Sequence, residues 1–192
     1  MNWINVYIRT CMKQFIKNTL KKTIQKLTAL FSTSKVGRHV NEVIVNDVMN
    51  RVHEMEHNGL RMKFTVPNSL NRFKVESFST KEPETLEWID GLPDEVVLWD
   101  IGANVGLYSI YAAKKKNCRV VAFEPSVFNL ELLARNLFMN NLHEKVTIAP
   151  FALSDGLGAS LMRMTTTEWG GALSAFGKKV GWDGEPIKDV FA

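Results

Sequence analysis

Residues 96–125 read VVLWDIGANVGLYSIYAAKKKNCRVVAFEP. An apolar run, Val96–Trp99, ends at Asp100, and a turn containing Gly102 and Gly106 follows it. The pattern continues with a helix-like run and a second apolar run that again ends at an acid: Leu107–Lys116, Val120–Phe123 and Glu124. This order predicts a β–loop–α–β unit with an acid at the tip of each of two parallel strands. Such a unit is typical of a nucleotide-type site at the carboxyl ends of the strands.

The glycine spacing differs from the dinucleotide fingerprint, which is Gly-x-Gly-x-x-Gly and rests a pyrophosphate on a helix N-terminus. Position 104 is asparagine, and Asp100 stands two residues before the first glycine. A carboxylate at that point repels a pyrophosphate but attracts a cationic or hydroxyl-bearing ligand. The spacing therefore disfavours an NAD-type oxidoreductase, which is the first rival interpretation.

The second acid, Glu124, lies 24 residues after Asp100. That separation is close to the roughly 20 residues that precede a ribose-binding acid. A carboxylate can accept hydrogen bonds from both ribose hydroxyls. The combination suits S-adenosylmethionine, which has no phosphate, a positive sulfonium and ammonium, and a ribose with two free hydroxyls. Another nucleotide, or a degenerate site, stays an alternative.

Short motifs extend the pattern on both sides of the glycine turn. They are DIGANVGLYS (100–109), AFEP (122–125), NLELLARN (129–136) and ALSD (152–155), with VPN (66–68) and KEPETLEWID (81–90) upstream. In these motifs, over roughly residues 60–177, the sequence resembles the FkbM family of S-adenosylmethionine-dependent methyltransferases. The resemblance implies a class I methyltransferase fold. It also implies O-methylation of a hydroxyl, commonly on a sugar, a glycan or a secondary metabolite.

The resemblance also assigns site residues. Four would line the methionine part of S-adenosylmethionine: Asp100, Gly102, Asn104 and Gly106. Glu124 would hold the ribose, and the loop from Ala152 to Asp155 would border the adenine. The sequence identifies no general base for a hydroxyl acceptor. We expect that base either in a missing part of the enzyme or in the loop 165–174.

The expected fold class is α/β: a Rossmann-like class I methyltransferase sheet with a helical N-terminal extension. The sheet is expected to be partial, because the family's later motif resembles Lys-Ile-Asp-Val-Glu-Gly and residues 187–190 match it poorly. We therefore expect the chain to be a fragment of a larger enzyme. A partial sheet would leave the first strand as an edge with an exposed apolar face, so the isolated chain is expected to be poorly stable and inactive.

Three segments are predicted. Residues 1–35 form a basic amphipathic helix, residues 36–93 a helical and extended lead-in, and residues 94–192 the N-terminal part of the methyltransferase domain. The lead-in is expected to contain helices over 40–57 and 83–90 and extended pieces over 61–66 and 73–78. The last segment is expected to contain strands at 96–100, 119–124, 145–150 and 159–165, helices at 105–116 and 126–140, a loop over 168–177 and an irregular end over 181–192.

Charge is unevenly distributed. Residues 1–35 carry seven basic groups and no acid, whereas the remaining residues carry 17 basic and 20 acidic groups. The catalytic region is therefore not a basic surface, which argues against nucleic acid as the main partner. The acceptor that the resemblance implies is a small molecule or a glycan. The basic helix either packs on the domain or on a partner, which we favour, or contacts a membrane surface.

The two cysteines show no spacing typical of a disulfide or a metal site. This is typical of a protein in the reducing cytoplasm, and association with the inner membrane surface is the alternative location.

Several other residues have both a functional and an ordinary structural interpretation. His53–His57 matches His-Glu-x-x-His, a zinc motif when it lies on a helix, but a solvated helix end is the better interpretation and no metal is predicted. Tyr108, with Tyr111 and Trp169, could shape a substrate wall. Glu84 and Thr85 could approach the methionine end of the cofactor, although ordinary first-turn helix positions suit them better. The second rival function is a catalytically dead or truncated Rossmann domain that acts as a membrane-surface or assembly module.

Overall fold

A computed structural model describes residues 3–181 and 183–187, with side chains from residue 12 onward. The chain divides into two compact units at Val48 and Met49. The first unit consists of helix α1 (Trp3–Phe31) and most of helix α2 (Lys35–Asn50). The helix predicted within residues 1–35 is found at residues 3–31, and its large apolar side chains from Met12 to Phe31 are exposed. Within the described ranges, no helix is long and apolar enough to cross a bilayer.

The second unit begins with a β-hairpin of strands β1 (Val52–His57) and β2 (Leu60–Thr65). The predicted helix over 40–57 is therefore wrong beyond Asn50. Side chains in β1 alternate between exposed and half-buried, which is the period of a strand. Asn58 and Gly59, with φ angles of 47° and 76°, form a two-residue turn rather than a helix end. The predicted strand over 61–66 is confirmed as β2.

Three short helices follow: α3 (Ser69–Glu76), α4 (Phe78–Lys81) and α5 (Pro83–Asp90). The predicted extended piece over 73–78 is wrong. The Asn68 side chain caps α3 by accepting a 2.9 Å hydrogen bond from the Asn71 N–H, which satisfies a donor that the first helical turn leaves unpaired. Helix α5 is confirmed, and it begins at a proline whose missing N–H costs nothing at that position.

The central sheet has three parallel strands in the order β3 (Val97–Ile101), β4 (Arg119–Phe123) and β5 (Val146–Ala149). Helix α6 (Leu107–Lys115) connects β3 to β4, and helix α7 (Val127–Met139) connects β4 to β5. The predicted α/β fold with a partial, Rossmann-like parallel sheet is confirmed. Because the register pairs Asp100 with Ala122 and Ile101 with Phe123, the glycine turn and Glu124 lie at the same edge of the sheet.

The hairpin is joined to the sheet through helix α7. Asn136 accepts a hydrogen bond from the Thr65 N–H at 2.8 Å and donates to the Val105 carbonyl at 2.8 Å. Asn140 accepts from the Lys63 N–H at 3.1 Å and donates to the Lys63 carbonyl at 2.7 Å. These two buried amides bond to backbone groups of β2 that β1 leaves unpaired. This explains why α7 carries polar residues on its buried side.

One face of β3 is open. Val97, Trp99 and Ile101 are 62%, 60% and 64% exposed, and among the described residues β3 pairs only with β4. The expectation of an edge strand with an exposed apolar face is therefore confirmed.

Beyond β5, residues 162–163 and 175–176 form the short antiparallel strands β6 (Met162–Arg163) and β7 (Ala175–Phe176). The predicted strand over 159–165 thus shrinks to two residues, and the predicted loop over 168–177 contains β7. The predicted irregular end over 181–192 lies partly outside the described residues.

Candidate active site

The glycine turn follows a backbone path that β-carbons disfavour. Gly102, Asn104 and Gly106 have φ angles of 85°, 52° and 87°, in the left-handed region. A β-carbon on Gly106 would lie 2.5 Å from Cδ1 of Leu133, so this glycine is needed for space as well as for its dihedral. The N–H groups of Gly102 and Ala103 both donate to the Phe123 carbonyl, at 2.9 and 3.0 Å. The turn is thereby tied to the tip of β4.

Glu124 is 5% exposed, and its carboxylate organises the turn. Oε2 accepts a hydrogen bond from the Asn104 N–H at 2.8 Å, and Oε1 accepts one from the Ser126 N–H at 2.8 Å. A carboxylate has about four lone-pair sites. Each oxygen therefore keeps capacity for one more donor, such as a ligand hydroxyl.

Asp100 at the end of β3 has a different environment. Its Oδ2 accepts a 2.5 Å hydrogen bond from the Ser109 hydroxyl, and the Ser109 backbone N–H also donates to the carboxylate. Burial raises the pKa of Asp100 above its ordinary value, and the hydrogen bonds from Ser109 only partly oppose that effect. The carboxylate therefore anchors the first turn of α6.

A first cavity of about 210 Å³ opens on one side of the turn, and we name it the lysine cavity. Charged and polar residues that line it are Lys74, Lys81, Glu82, Asn104 and Tyr108, with Gly102 at its base. The Tyr108 hydroxyl donates to Glu82 at 2.9 Å, and Lys81 forms an ion pair with Glu82 at 3.1 Å. Burial, and secondarily the bond to Glu82, raise the pKa of Tyr108, so the phenol stays protonated and acts as a donor.

A second cavity of about 180 Å³ lies on the other side of Asn104, and we name it the glutamate cavity. Its polar lining consists of Asn104, Glu124, Ser126, Asn129 and Ser174. Gly102, Asn104 and Ala172 line both cavities. The two spaces therefore adjoin at the glycine turn and present different chemistry at their far ends.

Residues 169–171 run across the site as a strap that asparagines hold. Asn129 accepts from the Gly170 N–H at 2.9 Å and donates to the Gly171 carbonyl at 3.0 Å, and Asn104 donates to the same carbonyl at 2.8 Å. Two further amides, those of Asn68 and Asn71, donate to the Trp169 carbonyl. The strap places Ala172 between the two cavities. Sequence reasoning named Asn104 but gave no role to Asn68, Asn71 and Asn129, because nothing in their spacing shows that they converge.

The predicted site residues are thus only partly brought together. Gly102 and Asn104 line both cavities, and Glu124 lines the glutamate cavity. Asp100, before the turn, and Gly106, at its end, line neither cavity. Ala152 is half-buried after β5 and also lines neither, whereas its neighbours 153–155 border a separate open space next to β7. The assignment of all six to cofactor binding stays a prediction.

Of the other residues predicted near the site, some border a cavity and some do not. Tyr108 lines the lysine cavity, but Tyr111 is fully buried, and its hydroxyl donates to Asp90 at 2.5 Å. Trp169 packs beside Val105 in a small apolar cluster. Neither Glu84 nor Thr85 borders the lysine cavity, and the acid that does so is the preceding Glu82.

The alternative zinc site loses its structural basis, because His53–His57 lies on strand β1 instead of a helix. The Nδ1 atom of His57 shares a 2.8 Å hydrogen bond with the Ser79 hydroxyl, and its ring packs edge-on against Phe78 and Tyr111. Within residues 3–181 and 183–187, no three His, Cys, Asp or Glu side chains are grouped closely enough to hold a metal ion.

The chain is similar to known proteins over parts of its length. No family model matches the chain. A segment of it is 35% identical over 71 residues to the methyltransferase sdnD of Sordaria araneosa; this covers 36% of this chain. The chain spans about a quarter of that relative's length, 27%.

Similar solved structures include P. horikoshii TYW2 in complex with MeSAdo, at 19% identity and a TM-score of 0.39, over 56% of this chain and 38% of that one. A precorrin-6y C5,15-methyltransferase from Geobacter metallireducens is 29% identical with a TM-score of 0.34, over 38% of this chain and 39% of that one. An RNA methyltransferase from Salinibacter ruber, in complex with S-adenosyl-L-homocysteine, is 23% identical with a TM-score of 0.35, over 40% and 52%.

Proposed function

We propose that this protein is a class I, S-adenosylmethionine-dependent methyltransferase of the FkbM type that methylates a hydroxyl group. The observation that carries the proposal is the pair of adjoining cavities at the glycine turn. One is lined by the buried carboxylate of Glu124, and the other is lined by charges of both signs. The local similarity to a fungal methyltransferase supports the same conclusion.

The residues present fit this cofactor. Gly102 has no other atom within 4 Å of where a β-carbon would stand, so the backbone is open to close approach of a ligand. Glu124 retains lone pairs for two ribose hydroxyls, because each oxygen accepts only one backbone N–H. The lysine cavity offers cations and an anion to a zwitterionic amino-acid end. No phosphate is required by this arrangement.

When bound, the cofactor supplies an activated methyl group on a sulfonium. The protein's own contribution is to hold the donor and the acceptor in line, which removes most of the entropic cost of bringing them together. Glu124 and the turn that it organises orient the donor. The protonated phenol of Tyr108 borders the adjoining lysine cavity, where it donates to Glu82 and holds that carboxylate in place. The acceptor class that we propose is a sugar, a glycan or a secondary metabolite with a free hydroxyl.

Isothermal titration of the full chain tests the donor assignment. S-adenosylmethionine and S-adenosylhomocysteine are expected to bind. NAD is expected not to bind, because Asn104 stands where the dinucleotide fingerprint has the glycine that lets the backbone approach a pyrophosphate. Glu124→Gln is expected to weaken binding of both adenosyl ligands about tenfold or more, while Glu131→Gln on the exposed side of α7 changes neither. Absence of any adenosyl-ligand binding by the wild-type chain would remove the proposal.

A second candidate function is suggested by the first unit. We propose, as the alternative to packing on the domain or on a partner, that residues 1–35 contact anionic membrane surfaces and hold the protein there. This segment has seven cations and no acid, and α1 exposes apolar side chains that include Phe15, Ile16 and Leu20 at 72%, 58% and 57%. Cations and exposed apolar side chains both favour contact with an anionic lipid surface.

Vesicle pelleting distinguishes this function from packing on a protein partner. The full chain is expected to sediment with vesicles that contain an anionic lipid and to stay in solution with purely zwitterionic ones. Replacing Lys17, Lys21 and Lys22 with glutamine is expected to lower sedimentation several-fold. Equal sedimentation of the wild type and the variant on both kinds of vesicle would exclude the electrostatic contact.

A further inference from the structure

Lys74 is a cation whose charge is uncompensated within the lysine cavity. It projects from α3 and is half-buried, and its Nζ donates a 3.1 Å hydrogen bond to Oδ1 of Asn104, a neutral amide. Among the described residues, no carboxylate lies within ion-pair distance of it, although Glu124 and Glu82 are near enough to act on it through space. Holding an ammonium group in this half-buried position without an anionic partner costs free energy.

The other charges of the lysine cavity are already paired. Glu82 accepts from the Tyr108 hydroxyl at 2.9 Å and forms an ion pair with Lys81 at 3.1 Å. Burial is the main cause that lowers the pKa of Lys74, and the nearby Lys81 lowers it further. An anion placed beside Lys74 would therefore compensate the half-buried positive charge of its ammonium group.

The surroundings limit what that anion is. The cavity holds about 210 Å³ and is bordered by the Glu82 carboxylate as well as by the two lysines. A phosphate dianion would meet like charge from Glu82. A single carboxylate next to an ammonium group would find a cation in Lys74 and an acceptor in Glu82.

We propose that Lys74 binds the α-carboxylate of the amino-acid end of the methyl donor, with Glu82 facing the donor's ammonium group; this assignment rests on the proposed function. Lys74 and Asn104 then act as one unit. Asn104 fixes the ammonium of Lys74 at the cavity wall, and the Asn104 N–H is itself held by Glu124 at the ribose end. The two ends of the donor are thereby linked through one asparagine.

Titration with two ligands tests the assignment on the full chain. S-adenosylmethionine carries the carboxylate, and its decarboxylated form keeps the sulfonium, the ammonium and the adenosine but lacks it. Lys74→Gln, which keeps a donor for Asn104, and Lys74→Met are expected to lose about 10- to 100-fold in affinity for S-adenosylmethionine, the range of a charge-assisted hydrogen bond. Their affinity for the decarboxylated ligand is expected to stay within about threefold of wild type.

Arg72→Met is the matched control, because Arg72 is a cation of the same helix that pairs with Glu76 in solvent. It is expected to change neither affinity. Binding of the decarboxylated ligand also shows that each Lys74 variant is folded. Equal loss of both ligands in both Lys74 variants, or no loss of S-adenosylmethionine affinity, would overturn the assignment. If the wild type bound neither ligand, the proposed function itself would fall, and the assignment with it.

Discussion

The carboxylate of Glu124, at the tip of β4, accepts a 2.8 Å hydrogen bond from the backbone N–H of Asn104 in the glycine turn. This bond joins the acid of one strand to the turn that follows the neighbouring strand. It makes the shape of the turn dependent on a side chain 20 positions further along the chain. The site is therefore one connected unit, and its parts can be tested separately.

Replacing Glu124 with glutamine is expected to destabilise the protein. Both oxygens accept backbone N–H groups in a buried position, and the amide NH₂ of glutamine would face one of those donors. A buried donor left unsatisfied costs about 1–3 kcal/mol. Urea unfolding measures this loss. Glu131→Gln is the control, because Glu131 is exposed and pairs only with Arg135; it is expected to cost less than about 0.5 kcal/mol. Equal effects of the two substitutions would contradict the buried role of Glu124.

Gly106→Ala is expected to destabilise the protein by about 3 kcal/mol. The left-handed dihedral costs a non-glycine residue about 1–2 kcal/mol, and the contact of the new β-carbon with Leu133 adds an overpacking cost of about 1–3 kcal/mol. Gly59→Ala separates the two terms, because Gly59 has a φ of 76° but no atom within 4 Å of its β-carbon position. Thermal unfolding should show the hairpin variant losing only the dihedral term. A larger loss for Gly59→Ala would refute this reasoning.

Asp100→Asn is expected to show a stability difference that depends on pH. Because burial raises the pKa of the folded Asp100, the folded state binds more protons than the unfolded state between the ordinary and the raised pKa. The stability contributed by this group is therefore full at low pH and falls as pH rises through that window. Relative to wild type, Asp100→Asn should gain stability through the window and keep a constant gain above it. The check is to measure unfolding free energies of both proteins from about pH 3 to about pH 8, a range that includes the ordinary pKa of aspartate. A gain in stability of Asp100→Asn that appears only at acidic pH would have the opposite sign and would reject the prediction.

Asn129→Ala is expected to loosen the strap. The substitution removes the acceptor of the Gly170 N–H and one of the two donors to the Gly171 carbonyl. Hydrogen exchange of residues 168–174 should accelerate by tenfold or more, which corresponds to roughly 1.4 kcal/mol of lost protection. Amides of β4 serve as the internal control and should exchange as in the wild type. Unchanged exchange in the strap would mean that Asn104, Asn68 and Asn71 hold it without Asn129.

The part of the fold that could be predicted from sequence is the part where local pattern and tertiary environment agree. The run from Val96 to Glu124 combines apolar stretches, a glycine turn and a helix, and each is found within one or two residues of its predicted bounds. The lead-in shows the opposite case. Residues 52–57 read VHEMEH, with apolar residues only at positions 52 and 55, a three-residue spacing that also suits a helix; pairing with β2 made the segment a strand. Residues 73–78 became helical because Asn68 caps α3 and Phe78 is buried.

The candidate site divides in the same way. Position along the strands was enough to predict that Asp100 and Glu124 would both end at one edge of the sheet. It was not enough to predict that Asp100 would bond to Ser109 behind the turn while Glu124 lines a cavity. Lys74 and Asn129 were not predicted at all. Their approach to Asn104 and the strap depends on how α3 and α7 pack, and a single side chain carries no sequence signal of that.

From its sequence alone, this chain determines a parallel β–loop–α–β unit with glycines where the backbone must turn and an acid at each strand tip, because these features depend on dihedral preference and on the period of apolar residues. The tertiary structure alone decided which of those acids lines a cavity, which lysine lines the adjoining cavity, and which asparagines hold the strap. Those outcomes depend on contacts between residues 20 to 101 positions apart, and only the packing of helices on the sheet brings such residues within hydrogen-bond distance.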